Sequence, residues 1–136
     1  MLKLIMGERG SGKTKQIIDL ANNAINLEDG NVICIETNQK LRYDINHKVK
    51  LIEADLYPFY GYEGLLAFIA GITAGNFDVT HIFIDSLFNV SGCSDISETE
   101  EFLAKLYDFS MERNIKFTVT ITEGVEKATE GMKVFF

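Results

Sequence analysis

Short apolar runs recur along this chain, and between them apolar residues fall at helical spacing. Leu2-Lys3-Leu4-Ile5-Met6 opens the chain as a buried strand, and Asn31-Val32-Ile33-Cys34-Ile35-Glu36 reads as a second. Lys48-Val49-Lys50-Leu51-Ile52-Glu53 alternates and predicts a short strand. Thr80-His81-Ile82-Phe83-Ile84-Asp85 is apolar throughout its centre, as a parallel strand covered on both faces should be. Lys116 to Thr122 completes the set. Lys15 to Leu27 places Ile17, Ile18, Leu20, Ala21, Ala24 and Ile25 on one helical face. Leu65, Leu66, Phe68, Ile69 and Ile72 mark a helix ending near Gly75-Asn76. Ser97-Glu98-Thr99-Glu100 has the form of a capping box, opening a helix that turns Phe102, Leu103, Leu106, Phe109 and Met111 inward. Residues 37–48 read as irregular, the aromatic stretch 57–62 as core packing, and the tail from Glu123 holds a short helix before Val134-Phe135-Phe136.

Strands alternating with helices predict an α/β fold, a parallel sheet between two helical layers, in a single domain spanning residues 1–136. Ligands of such sheets bind where strands end. Gly7 onward, Glu36 to Asn38, Asp85-Ser86 and Thr120 to Thr122 all fall at those ends, so four distant polar clusters converge.

Composition narrows the picture further. With 46% hydrophobic residues and one proline, the chain is globular. A net charge of −7 opposes general binding to a polyphosphate backbone, so nucleic acid is not an expected partner. Lys40, Arg42, His47, Lys48 and Lys50 form a local basic spot, read as a solvated connection. Cys34 and Cys93 make no metal or disulfide pattern, and His47 and His81 lack paired ligand spacing. No run is long enough to span a bilayer and no signal-like segment precedes the first strand, which predicts a cytoplasmic protein without membrane contact.

The chemistry concentrates in Gly7-Glu8-Arg9-Gly10-Ser11-Gly12-Lys13-Thr14, which fits G-x-x-x-x-G-K-[ST] at every fixed position and lies between a strand and a helix. Glycines let successive N–H groups turn toward one anion, and the helix N-terminus adds partial positive charge. Gly7 to Lys15 is therefore the expected cradle of a nucleoside triphosphate, taken to be ATP. Lys13 would reach the β- and γ-phosphates, and Thr14 would ligate Mg²⁺. Asp85, closing an apolar strand, is the expected second holder of Mg²⁺. Arg9 occupies an unrestricted loop position, turned to a phosphate or to solvent.

Together, this loop, the strand ending in Glu36-Thr37-Asn38 and Ile82-Phe83-Ile84-Asp85-Ser86 resemble the RecA-like group of phosphate-loop ATPases, which includes KaiC-type proteins. The resemblance covers roughly residues 1–122. It implies a P-loop NTPase fold, Mg²⁺-ATP as ligand, and a catalytic glutamate just after the second strand. That position falls on Asn38, with Glu36 two residues earlier. Asparagine can orient water but cannot take a proton. Ser86 stands where many ATPases carry a glutamate directly after the metal-site aspartate. The resemblance also implies a polar γ-phosphate sensor at Thr120 or Thr122. Tyr43 becomes the candidate to stack on adenine, the alternative being a surface or packing tyrosine. Family geometry further implies Arg42 or Arg113 as a charge partner to a neighbouring subunit, in a homo-oligomer or with another protein.

Three functions fit this chain: an ATP-binding domain with weak or partner-stimulated hydrolysis, a small nucleoside or nucleotide kinase, and a non-hydrolysing nucleotide-dependent switch or scaffold. The kinase reading lacks an arginine-bearing lid, because Ser91 to Ser97 holds neither Arg nor Lys.

Overall fold

The structure, a computed structural model, describes residues 1–136. Strands β1 (Leu2–Gly7), β2 (Asn31–Glu36), β3 (Lys50–Glu53), β4 (Val79–Ile84) and β5 (Lys116–Thr122) form one sheet. Its order is β1-β5-β4-β2-β3, and all four pairings are parallel. Helices α1 (Lys13–Leu27), α2 (Gly61–Gly75), α3 (Leu87–Ser91), α4 (Ile96–Arg113) and α5 (Glu130–Lys133) flank it.

Alternation along the strands separates two cores. Ile33 and Ile35 join Ile82, Ile84, Phe117, Val119 and Ile121 in one core, with Leu65 and Ile69 of α2 and Phe102, Leu103 and Leu106 of α4. Val32, Cys34 and Phe83 face the other way, onto Ile17, Ala21 and Ala24 of α1. One helix thus covers one face and the remaining helices the other. Strand β5 shows the principle most sharply. Its apolar residues alternate with Thr118, Thr120 and Thr122, and both inner threonines are buried on the α1 side because each has a polar partner. Thr118 Oγ1 shares a 3.0 Å hydrogen bond with His81 Nε2, whose ring stacks on Phe83. His81 is structural, and burial drops its pKa to about 4.

Several local expectations change. The cap of α4 is Asp95 rather than Ser97: the Asp95 carboxylate accepts from Glu98 N–H at 2.9 Å, so the helix starts two residues earlier. Met111 is exposed, lying off the inward stripe of α4. The aromatic stretch divides: Phe59 stacks on Phe68 and Tyr62 on Phe102, while Tyr60 is 89% exposed. The irregular segment after β2 buries Leu41 completely. The tail closes against β1, with Leu4 N–H donating to Phe135 O at 2.8 Å and Met132 buried. No helix is long and apolar enough to cross a membrane.

Candidate functional site

The loop between β1 and α1 has the geometry its glycines dictate. Gly10 and Gly12 take φ of 86° and 89°, a left-handed conformation that disfavours any side chain. Gly7 is restricted differently, since a Cβ there would come within 2.3 Å of Ser11 Oγ. Ser11 N–H donates to Glu8 O at 3.1 Å and closes the turn. The backbone N–H groups of Gly10, Gly12, Lys13, Thr14 and Lys15, by contrast, donate to no group in the chain. Three belong to the first turn of α1, where helical N–H groups have no internal acceptor. Lys13 is nearly buried and arches over the loop, its Nζ donating to Glu8 O at 3.0 Å and Ser11 Oγ at 3.3 Å.

A cavity of about 560 Å³ opens beside this loop, lined by Arg9, Gly10, Gly12, Lys13, Thr14, Lys40, Ser86, Phe88, Asn89 and Thr122. Its walls come from the ends of β1, β2, β4 and β5. Lys40, Phe88 and Asn89 are additions that the sequence patterns did not single out as site residues. The last two ride on α3, a helix too short to leave a periodic signal.

Asp85 sits behind the wall, at the end of β4 and 7% exposed. Its N–H donates to Ile35 O at 2.9 Å, and Oδ1 accepts from Thr120 Oγ1 at 2.8 Å. The same Thr120 oxygen accepts from Ser86 N–H at 2.8 Å. Burial raises the Asp85 pKa, offset by the Thr120 bond and the charges of Lys13 and Lys40. Ser86 turns the chain from strand to helix at φ 61°, ψ 68°, a conformation costing a non-glycine residue about 1–2 kcal/mol. Of the two candidate sensors, Thr122 lines the cavity, whereas Thr120 is fully buried and spends its hydroxyl on Asp85 and Ser86.

Glu36 is 2% exposed and lies beside Glu53 on β3. Oε1 accepts from Leu41 N–H at 3.3 Å, and Oε2 is buried without a partner. Burial, with Asp85 and Glu53 adding repulsion, pushes its pKa up to about 7 against the donated N–H groups of Leu41 and Lys40. Asn38 is exposed, its Oδ1 accepting from Lys40 N–H at 3.0 Å. Neither residue lines the cavity, and no carboxylate does. Tyr43 lies outside it as well, 89% exposed under the Arg42 guanidinium. Arg42 and Arg113 line other depressions, and Glu8, Ser11 and Lys15 belong to the loop without facing this cavity.

The oxygen donors here are of the kind a hard cation takes. Thr14 offers a hydroxyl and Asp85 a carboxylate, and no cluster of three or more His, Cys, Asp or Glu forms a self-sufficient metal cage. The chain matches no protein-family profile and no curated protein.

Proposed function

We propose that this protein binds a nucleoside triphosphate, ATP, as its Mg²⁺ complex, on a RecA-like P-loop core, and hydrolyses it slowly unless a partner assists. One observation carries the reading: five backbone N–H groups, from Gly10 and Gly12 to Lys15, have no acceptor in the chain and cluster at the N-terminus of a fifteen-residue helix. Such a set favours an anion with several oxygens. Lys13 adds a full charge at the cavity wall. Positive φ at Gly10 and Gly12, with open space where side chains would stand, leaves room for close approach by phosphate.

Thr14 and Asp85 would hold Mg²⁺, Asp85 acting through water from its recessed position. When bound, Mg²⁺ neutralises charge on the phosphate oxygens. Thr120 keeps the Asp85 carboxylate aimed, and Thr122 offers its hydroxyl to the terminal phosphoryl. Proton abstraction from water is where the site is poor. With no carboxylate on the cavity wall, the isolated chain lacks a positioned base.

A second reading, the small kinase, draws on another observation. A cavity of about 590 Å³ lined by Thr37, residues 54–60 and 89–92 shares Asn89 with the first. It offers space for a phosphoryl acceptor beside the triphosphate. Calorimetric titration with ATP-Mg²⁺ tests the shared premise, which fails if no heat of binding is seen at millimolar nucleotide. Turnover that needs an added acceptor would favour the kinase.

A further inference from the structure

We infer that Lys40 is the side chain by which this site distinguishes a nucleoside triphosphate from a diphosphate, meeting the terminal phosphoryl from the wall opposite the loop. This rests on the nucleotide reading above and adds a residue that the loop motif does not contain.

Lys40 lines the same cavity as Lys13 and Thr14 but arrives from the end of β2, which is separated from β1 by β5 and β4. The loop surrounds the cavity on the β1 side, so a polyphosphate lying along it directs its far end toward the ends of β4 and β2. Lys40 stands on that side. Its ammonium makes no ion pair or hydrogen bond in the chain. A lysine without an acceptor at the wall of a polar cavity is available to an anionic ligand.

The backbone on either side of Lys40 is held. Asn38 Oδ1 accepts from Lys40 N–H at 3.0 Å, and Glu36 Oε1 accepts from Leu41 N–H at 3.3 Å. The Leu41 side chain is 0% exposed, inserted among Ile17, Val49 and Phe83. Polar ties and an apolar plug together fix where Lys40 leaves the main chain. Glu36 and Asn38 are thereby positioning residues for Lys40, which accounts for two polar groups that do not face the cavity.

Arg42, the next cation along this segment, donates to Gln39 Oε1 at 2.6 Å and lies over the Tyr43 ring. It lines a separate depression with His47 and Glu53. Among the basic residues between 38 and 50, Lys40 alone reaches the cavity.

The test compares ATP-Mg²⁺ with ADP-Mg²⁺ in calorimetric titrations of the full chain as wild type, Lys40→Ala, Lys40→Arg and Lys48→Ala. A charge-assisted hydrogen bond to the terminal phosphoryl is worth roughly tenfold in affinity. Lys40→Ala should therefore weaken ATP about tenfold and ADP by less than about twofold. Lys40→Arg should keep the preference for ATP, and Lys48→Ala should match wild type. Lys40 is exposed, and unchanged melting curves would show that the variants fold. Equal losses for both nucleotides, or no loss for either, would overturn the role of Lys40 while leaving nucleotide binding intact. Wild type that binds neither nucleotide would overturn the underlying reading, and this inference with it.

Discussion

Thr120 holds Asp85 by a 2.8 Å hydrogen bond and, through the same oxygen, holds the strained Ser86 that follows it. The hydroxyl donates once and accepts once, so both links need it. Strand β5, lying between β1 and β4, thus fixes the aspartate at the end of β4. Thr120→Val keeps the shape but leaves a buried carboxylate oxygen and a half-buried N–H unpaired. Such losses cost about 1–3 kcal/mol. Thermal melts of the free protein should drop by several degrees, with Mg²⁺-dependent nucleotide affinity falling as well. A melt within a degree of wild type would contradict this role.

Asp85→Asn should behave differently. Asparagine retains an acceptor for Thr120 and removes a charge that burial disfavours, so the free protein should melt no lower than wild type. Nucleotide affinity should then become nearly indifferent to Mg²⁺. Titrations with Mg²⁺ and with EDTA check this. An equal loss in both conditions would make Asp85 a turn residue only.

Glu36 gives a pH signature. Its pKa is higher in the folded chain, about 7, than the ordinary 4.5, so the native state holds the extra proton between those values. Stability from this group is full below about pH 4.5 and is lost as pH rises toward 7. Glu36→Gln removes the loss. The variant should melt above wild type at pH 8, with the gap shrinking toward pH 5. A gap of the opposite sign at pH 8 would show that the ionised carboxylate is stabilising through Leu41.

Hydrolysis by the isolated chain should fall far below the median enzyme turnover of about 10 per second. The cavity wall carries two lysines and an arginine but no base. Phosphate release should be compared for wild type, Glu36→Gln and Asn38→Glu. Asn38→Glu should leave the rate low, because position 38 is exposed and lies outside the cavity. Fast wild-type turnover abolished by Glu36→Gln would instead make Glu36 the working base.

Much of this architecture was legible because burial on both faces forces unbroken apolar runs such as Val32–Ile35 and Ile82–Ile84. The loop was legible because its two fixed glycines are held by the backbone, Gly12 by its positive φ and Gly7 by the closeness of Ser11. What escaped has physical reasons. Helix α3 buries Leu87 and Val90 within five residues, too few for a period to emerge beside an apolar strand. Leu41 is one apolar residue in a polar stretch, and only the tertiary fold makes it a plug. Lys40 reads as solvated charge until that plug places it at the cavity. Asp95 displaced Ser97 as the cap because both head an x-x-Glu spacing, and local sequence does not choose between them. Conversely, Asn38 and Tyr43 sit near the site in sequence but outside its cavity, because the turn after Glu36 directs them outward.

The central claim is that Gly7 to Thr14 binds the phosphates of a nucleotide, and ligand-induced stabilisation tests it most directly. A ligand that binds only the native state raises stability by RT ln(1 + [L]/Kd), about 2.7 kcal/mol at a hundredfold excess over Kd. Melting curves should be recorded for wild type and Lys13→Ala with and without millimolar ATP-Mg²⁺. Wild type should melt several degrees higher with nucleotide, and Lys13→Ala should lose most of that shift. An unchanged wild-type melt at millimolar ATP-Mg²⁺ would contradict the claim.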